Sequence, residues 1–275
     1  MKHTSYALLL LIPSFLMLSG CSSSKKEDPL AAERPAEQIF KEADAASKAS
    51  RYKDAAKLYA EVERQHPYSD FATEAQIRQA EVAYEGLRYD EAILALDRFI
   101  ELHPGHQKID YAYYLKAKCY YEQITDIRRD QSMSENALEA LEIVISRFPD
   151  SPYARDAKYK RDLVRDHLAG KEMEIGRYYV TTGQINAAIN RFLTVVKDYQ
   201  TTSHTAEALH RLVECYTTLG LKDEATHVAA VLGYNYPGSQ WYEDSFRLLD
   251  PAQRDKIKDG KSWVNRTVSS LLKPN

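Results

Sequence analysis

The 275-residue chain has little glycine and little net charge, and each shortage argues against a class of function. Ten glycines leave little material for backbone loops that cradle phosphates, and the sequence has no glycine-rich phosphate loop, nucleophile elbow or zinc-binding helix motif. The one close histidine pair, His103 and His106, lies in a turn. A net charge of −3 gives no basic excess for nucleic acid. We therefore predict no catalytic residues, no metal site, no cofactor and no nucleic-acid partner.

The apolar run near the N-terminus is too short for a transmembrane helix. Lys2 precedes the run Ala7 to Leu18, which is the layout of a signal peptide. Its end, Leu18-Ser19-Gly20-Cys21, resembles the bacterial lipoprotein signal, which implies cleavage after residue 20 and a covalent lipid on Cys21. A plain secretory signal with a chance cysteine is the alternative. Ser22, where an aspartate would retain the protein in the inner membrane, implies export to the outer membrane. Residues 21–35 are polar, contain two prolines, and are expected to form a flexible tether.

A short phrase recurs five times in the rest of the chain, as in "SRFPDSPYARDA". Its proline position recurs after 37, 45, 51 and 37 residues. A small residue follows each proline position by eight, at Ala75, Ala112, Ala157, Ala208 and Ser245. An alanine precedes each by twelve, at Ala55, Ala92, Ala137, Ala188 and Ala225. A period of this length predicts a helical array.

Each unit reads as two helices joined by a short turn, with proline ending the second helix. The small residues mark places where helix backbones approach closely. Their spacing resembles that of the tetratricopeptide repeat, so the resemblance implies an all-α solenoid of five helix pairs followed by a capping helix. The solenoid is predicted to span residues 36–250, with repeats at about 36–69, 73–106, 110–151, 154–202 and 206–239.

Two repeats are longer than the others. The eight extra residues of repeat three lie within "TDIRRDQSMSEN" and predict an extended loop between its helices. The fourteen extra residues of repeat four keep the helical phase and predict one helix of about 28 residues, roughly 42 Å long. After the solenoid, residues 251–275 form a basic tail, for which a helix is one of the conformations that the sequence allows. A solvated helix and a segment that contacts a partner or a membrane are both compatible with its composition.

The cysteines other than Cys21 occupy the same repeat position two repeats apart. Cys119 and Cys215 are therefore predicted to be buried thiols, although a disulfide is possible in principle.

The first helix of each repeat is expected to line the concave side, as in tetratricopeptide repeats. This places Ile77 and His210 on that side, together with an aromatic strip made of Phe40, Tyr84, Tyr111, Tyr114 and Tyr121. An aromatic groove suits an extended peptide with aromatic anchors of its own. The alternative is that these tyrosines pack helix against helix.

Three segments resemble the BamD family, the lipoprotein subunits of the outer-membrane β-barrel assembly machinery. They are "DRFIELHPGHQKIDYAYYLKA", "RRDQ" and "YYVTTGQINAAINRF". The resemblance implies a non-catalytic scaffold, lipid-anchored to the outer membrane on its periplasmic side. In this family the N-terminal repeats are similar to a receptor for the C-terminal targeting strand of unfolded outer-membrane proteins.

The same resemblance implies that the C-terminal repeats dock on BamA, with Arg191 in that interface, and that other subunits of the complex are partners too. Thr182 stands where relatives carry an arginine. The sequence leaves open a different periplasmic repeat lipoprotein, such as a pilotin or an adaptor for a peptidoglycan enzyme.

Overall fold

The structure is a computed structural model that describes residues 33–259. Within this range the chain forms twelve α-helices and no β-strand. Their bounds are α1 Ala36–Lys48, α2 Tyr52–Gln65, α3 Asp70–Glu85, α4 Tyr89–Leu102, α5 Ile109–Tyr121, α6 Ser132–Arg147, α7 Ala154–Thr181, α8 Ile185–Asp198, α9 Thr205–Thr218, α10 Lys222–Asn235, α11 Gln240–Leu248 and α12 Pro251–Asp259. None of these helices combines the length and the apolar character needed to cross a bilayer.

Consecutive helices pack against each other along the chain. Helices α1 to α10 form five pairs, and the second helix of each pair also packs on the first helix of the next. The predicted tetratricopeptide-repeat solenoid of five helix pairs is confirmed. The predicted signal peptide (1–20), Cys21 and most of the tether lie outside the described residues.

The small residues that recur in the sequence lie where helices meet. All ten of them, from Ala55 to Ser245, have no exposed surface. A methyl or hydroxymethyl group lets two helix backbones approach closely, and a larger side chain would force them apart at a cost of about 1–3 kcal/mol. The repeated sequence phrase is thus a packing requirement of the solenoid.

Most of the second helices end just before the aromatic or histidine that precedes the proline position. Helix α2 ends at Gln65, before His66 and Pro67, and α4 ends at Leu102, before His103. Proline cannot continue a helix and disfavours helical backbone at the residue before it. The following helix α3 is capped by Ser69, whose Oγ accepts the backbone N–H of Ala72 at 3.2 Å.

The two long repeats have the structures that their spacing predicts. Residues 122–131 connect α5 to α6 as a loop, and α7 is a single helix of 28 residues. The sequence did not predict that these two insertions contact each other. Arg128 of the loop pairs with Glu174 of α7 at 3.6 Å, and Lys171 Nζ donates to the carbonyl of Arg129 at 3.4 Å.

The C-terminal cap contains two helices where the sequence predicted one. Helix α11 packs on α9 and α10, and α12, at the start of the basic tail, packs on α10. Gln253 Nε2 donates to the Lys222 carbonyl at 2.8 Å, and Lys256 pairs with Asp223 at 2.9 Å. The tail therefore begins as part of the cap, while residues 260–275 lie outside the described range.

The predicted thiols are buried. Cys119 and Cys215 are unpaired and at most 2% exposed. Burial raises the pKa of the Cys119 thiol to about 12 and that of Cys215 to about 11, so both remain protonated and unreactive near neutral pH.

The close approach of α7 and α8 gives a test of this packing. A methyl group on Gly176 would overlap the Phe192 ring, lying 2.8 Å from its Cδ1 and Cζ, and Phe192 is itself fully buried. We expect Gly176→Ala to lower the free energy of unfolding by about 1–2 kcal/mol, because the overlap outweighs the gain in helix propensity of about 1 kcal/mol. Urea denaturation measures this difference.

Gly105→Ala is the matched control, because its added methyl group meets no atom within 4 Å. It should leave stability within about 0.5 kcal/mol of the parent. Stabilisation by Gly176→Ala would contradict the packing described for α7 and α8.

Candidate functional site

A cavity of about 550 Å³ opens between helices α1, α3 and α5. We call it the N-terminal cavity. It is lined by residues from the first three repeats: Asp44, Ser47, Lys48, Tyr59, Arg78, Glu81, Val82, Glu85 and Tyr111. Its volume lies within the usual range for ligand-binding clefts, about 300–1,000 Å³.

Two tyrosines line this cavity, and their hydroxyl groups are held by carboxylates. Tyr59 donates to Asp44, and Tyr111 bonds Glu81. Burial, reinforced by these carboxylates, raises the pKa of both phenols, so both stay protonated donors. With its hydroxyl engaged, the half-buried Tyr111 ring contributes apolar surface to the cavity. The Tyr59 ring is only 1% exposed and offers almost none.

Two cations lie in the same cavity. Arg78 pairs with Glu74 at 3.1 Å and with Glu81 at 3.0 Å. Burial lowers the pKa of Arg78, but the charges of Glu81 and Glu74 outweigh it and raise that pKa, so the guanidinium remains charged. The side chain of Lys48 has no hydrogen bond or ion pair within residues 33–259. The cavity thus combines aromatic surface with an uncommitted ammonium group.

Of the predicted aromatic strip, Tyr111 lines the N-terminal cavity and Phe40 does not. Phe40 lies behind the cavity wall, with its ring centroid 5.5 Å from those of Tyr59 and Phe71.

Tyr84 and Tyr114 lie further along the solenoid and make contacts between helices. Lys118 Nζ lies 4.5 Å from the centroid of the Tyr84 ring, whose hydroxyl donates to Glu122 at 3.3 Å. Tyr114 donates to Asp156 at 2.5 Å. Tyr114 also stacks on Tyr153, with ring centroids 4.9 Å apart, and Tyr153 lies 5.3 Å from Tyr111. The alternative that these tyrosines pack helix against helix therefore applies in part.

Tyr121 belongs to a second cavity, of about 370 Å³, which we call the insertion cavity. It is lined by residues of the α5 end, the repeat-three loop and α7: Tyr121, Glu122, Ile124, Thr125, Leu163, Val164 and His167. The aromatic strip that the sequence predicted is therefore not one surface. Its residues lie in two separate cavities and in contacts between helices.

Two residues that the repeat register places on the concave side lie in the core instead. Ile77 has no exposed surface and His210 is 5% exposed. Neighbouring helices cover both side chains. The position of a residue along its own helix does not show which neighbouring helices will cover it. Conversely, the sequence did not single out Tyr59, Arg78 or Tyr153 for the site.

Arg191 lies on α8 and is tied to α7. Its Nη1 pairs with Glu172 at 3.1 Å, and the Arg191 side chain is 42% exposed. The exposed part of the guanidinium is available to a partner.

The histidine pair of the α4–α5 turn packs on an aromatic ring. His103 and His106 lie 5.2 and 5.1 Å from the Phe99 ring centroid, and His103 Nε2 bonds Gln76 Oε1 at 2.8 Å. In the described part of the chain, no three His, Cys, Asp or Glu side chains converge on a possible metal position.

One cluster has the residue types of a catalytic triad. His210 Nδ1 lies 2.9 Å from Ser245 Oγ, and its Nε2 lies 3.4 Å from Glu214. Ser245 has no exposed surface, so its hydroxyl cannot reach an external substrate. The cluster instead joins α9 to α11, which fastens the C-terminal cap.

This cluster predicts a pH dependence of stability. The hydrogen bond from His210 lowers the pKa of Glu214 to about 2 against the opposing effect of burial, and Arg211 adds to the lowering. A depressed folded-state pKa stabilises the fold above the unfolded value, near 4.5, and this contribution is lost as pH falls towards 2. We expect Glu214→Gln to reduce the free energy of unfolding at pH 7, with the difference from the parent shrinking between pH 4.5 and 2.

Chemical denaturation across this pH range measures the effect. Glu139→Gln, at an exposed position on α6, is the control and should leave the pH profile unchanged. An equal difference between Glu214→Gln and the parent at pH 7 and pH 2 would show that Glu214 ionisation does not stabilise the cap.

Comparisons with known proteins find relatives that cover most of the chain. A family model described as "YfiO: Outer membrane lipoprotein" matches residues 32–232. The chain is 48% identical over 253 residues to the outer membrane protein assembly factor BamD of Caulobacter vibrioides, covering 91% of this chain and 83% of that protein. It is 44% identical over 249 residues to BamD of Rickettsia prowazekii, covering 90% and 98%. Among solved structures, the P58(IPK) TPR domain is 13% identical, with a TM-score of 0.41, covering 86% of this chain and 64% of that one.

Proposed function

The chain belongs to the BamD family of outer membrane protein assembly factors, and on that premise we propose that its N-terminal cavity receives the C-terminal strand of unfolded outer-membrane proteins. The observation that carries this proposal is the meeting of the Tyr111 ring with Lys48 and Arg78 in one cavity. The role is that of a non-catalytic scaffold, which holds the strand while a partner inserts it into the membrane.

A strand that ends in an aromatic residue matches this cavity in two ways. Its terminal ring can pack against Tyr111, and aromatic pairs contribute about 0.5–1.5 kcal/mol beyond the area they bury. Its terminal carboxylate can pair with Lys48, which has no partner in the described part of the chain, and approach Arg78. The carboxylates of Asp44, Glu81 and Glu85 disfavour further acidic groups on the ligand, so a single terminal charge is the best match.

Peptide binding tests this assignment. A fluorescent peptide that ends in phenylalanine with a free carboxylate should bind more tightly than the same peptide with a C-terminal amide. Lys48→Ala should weaken the free-acid peptide by about three- to tenfold, the effect of one partly exposed ion pair, and should leave the amide peptide unchanged. Tyr111→Ala should weaken both peptides by about tenfold through lost ring contact. Fluorescence anisotropy measures the affinities.

Lys53→Ala, at an exposed position on α2, is the matched control and should bind like the parent. Circular dichroism should show the same helix content for every variant. Equal binding of the acid and amide peptides to the parent would contradict the role given to the cavity.

We further propose two attachments, a lipid on Cys21 that anchors the chain to the outer membrane and a docking surface for BamA on the C-terminal repeats. Arg191 supports the second, because its guanidinium is held by Glu172 and remains part-exposed. One acyl chain alone binds a membrane marginally, so stable anchoring needs the several chains of a bacterial lipoprotein or a second attachment.

Fractionation of cell membranes tests both attachments. Arg191→Glu alone should stay with the membrane through its lipid, and Cys21→Ala should be retained only in part, through BamA. The double variant should appear in the periplasmic fraction. A double variant that remains with the membrane would contradict at least one attachment, and palmitate labelling of the Arg191→Glu protein would show whether the lipid is present.

A further inference from the structure

The two irregular segments of the solenoid meet at the insertion cavity, where a buried nitrogen atom has no partner. The loop of repeat three supplies Ile124 and Thr125, and α7 supplies Leu163, Val164 and His167. The Nε2 atom of His167 is buried and makes no hydrogen bond to any group of residues 33–259. A buried polar atom without a hydrogen bond destabilises the fold, so this atom marks a place where a ligand can supply the missing bond.

The lining of the cavity combines an apolar wall with polar groups at its end. Ile124, Leu163 and Val164 offer aliphatic surface, and Leu163 is 41% exposed although it is a large apolar residue. Tyr121 offers a ring and Glu122 offers a carboxylate. A long side chain with an apolar stem and a polar head matches this combination of surfaces.

The charges around the cavity favour a cation. Glu122 lines it, and the carboxylates of Asp126 and Asp166 both act on His167. Lys160 lies 5.2 Å from the Tyr121 ring but is paired with Asp156 at 2.9 Å. An anionic ligand would face these carboxylates, and no Lys or Arg of residues 33–259 lines the cavity.

His167 is suited to accept a hydrogen bond. Burial lowers the pKa of its imidazole, against the charges of Asp126 and Asp166, which raise it. The ring is therefore neutral near pH 7, and a neutral imidazole has one nitrogen that accepts.

We propose that the insertion cavity binds an arginine side chain from an extended segment of a partner protein. The guanidinium pairs with Glu122, donates one N–H to His167 Nε2 and lies against the Tyr121 ring. Its methylene stem covers Leu163 and Ile124. Arginine matches better than lysine, because a planar guanidinium stacks on an aromatic ring and presents several donors in a fixed fork.

This inference goes beyond the proposed function and does not depend on it. The N-terminal cavity would take an aromatic residue and a carboxylate, whereas the insertion cavity takes a cation. The two cavities share no lining residue, so variants of one leave the other intact. A partner segment with arginine would bind at the junction of the third and fourth repeats.

Nuclear magnetic resonance of the histidine-labelled full chain tests the proposal. The probe is N-acetyl-arginine methylamide, and the matched neutral probe is the citrulline analogue, which replaces the guanidinium with a urea group of the same shape. The ¹⁵N signal of His167 Nε2 is identified by its absence in His167→Phe. We expect the arginine probe to shift this signal. The citrulline probe should need about tenfold higher concentration to give the same shift, because it lacks one charge-assisted hydrogen bond.

Glu122→Gln should weaken arginine binding to the level of citrulline, while Lys48→Ala should leave the titration unchanged. If His167→Phe fails to fold, Glu122→Gln still tests the proposal, because Glu122 is exposed and its replacement should not disturb the fold. An unshifted His167 signal with arginine, or equal affinity for arginine and citrulline, would overturn the proposal. Failure of the targeting peptide at the N-terminal cavity has no bearing on this result.

Discussion

The whole solenoid depends on the close approach of helix backbones at a ladder of small side chains. In each repeat, one small residue on each helix is fully covered by the neighbouring helices, from Ala55 in the first repeat to Ser245 in the cap. Alanine contributes little buried area, so its role is to let the larger side chains around it interlock. Tyr59, Phe99 and Phe192 fill the spaces between helices and have almost no exposed surface. The stacking of these pairs aligns α1, α3 and α5 and so creates the N-terminal cavity.

The two insertions give this solenoid features that a regular repeat array would lack. Helix α7 is the first helix of the fourth repeat and has 28 residues, so at about 1.5 Å per residue it is roughly 42 Å long. It packs on α6 of the third repeat and on α8 of the fourth. The loop of residues 122–131 lies along it and is held by Arg128 and Lys171. The same helix lines the insertion cavity and supplies Glu172, the partner of Arg191. It therefore connects the first three repeats to the last two.

Repetition made the fold predictable from the sequence, and the same repetition limited what could be said of the site. Five copies of one phrase located every helix pair, and the two irregular spacings located the loop and the long helix. The exposure of a side chain depends on the helices around it. The repeat position of a residue gives its place on one helix and does not show how those neighbours pack. Ile77 and Tyr111 occupy concave positions in that register, yet Ile77 is covered and Tyr111 lines a cavity. Contacts such as Tyr114 with Asp156, 42 residues apart, arise only when successive repeats stack.

We propose that in the cell the N-terminal cavity holds the C-terminal end of unfolded outer-membrane proteins. Site-specific photo-cross-linking tests it most directly, with the probe at Ser47 in the cavity and, for comparison, at Leu94, which is 70% exposed on α4. The account predicts that newly made outer-membrane proteins cross-link to position 47 through their last residues, and that position 94 gives no such product. Equal cross-linking from both positions, or products at position 47 that map to internal segments of those proteins, would contradict the account.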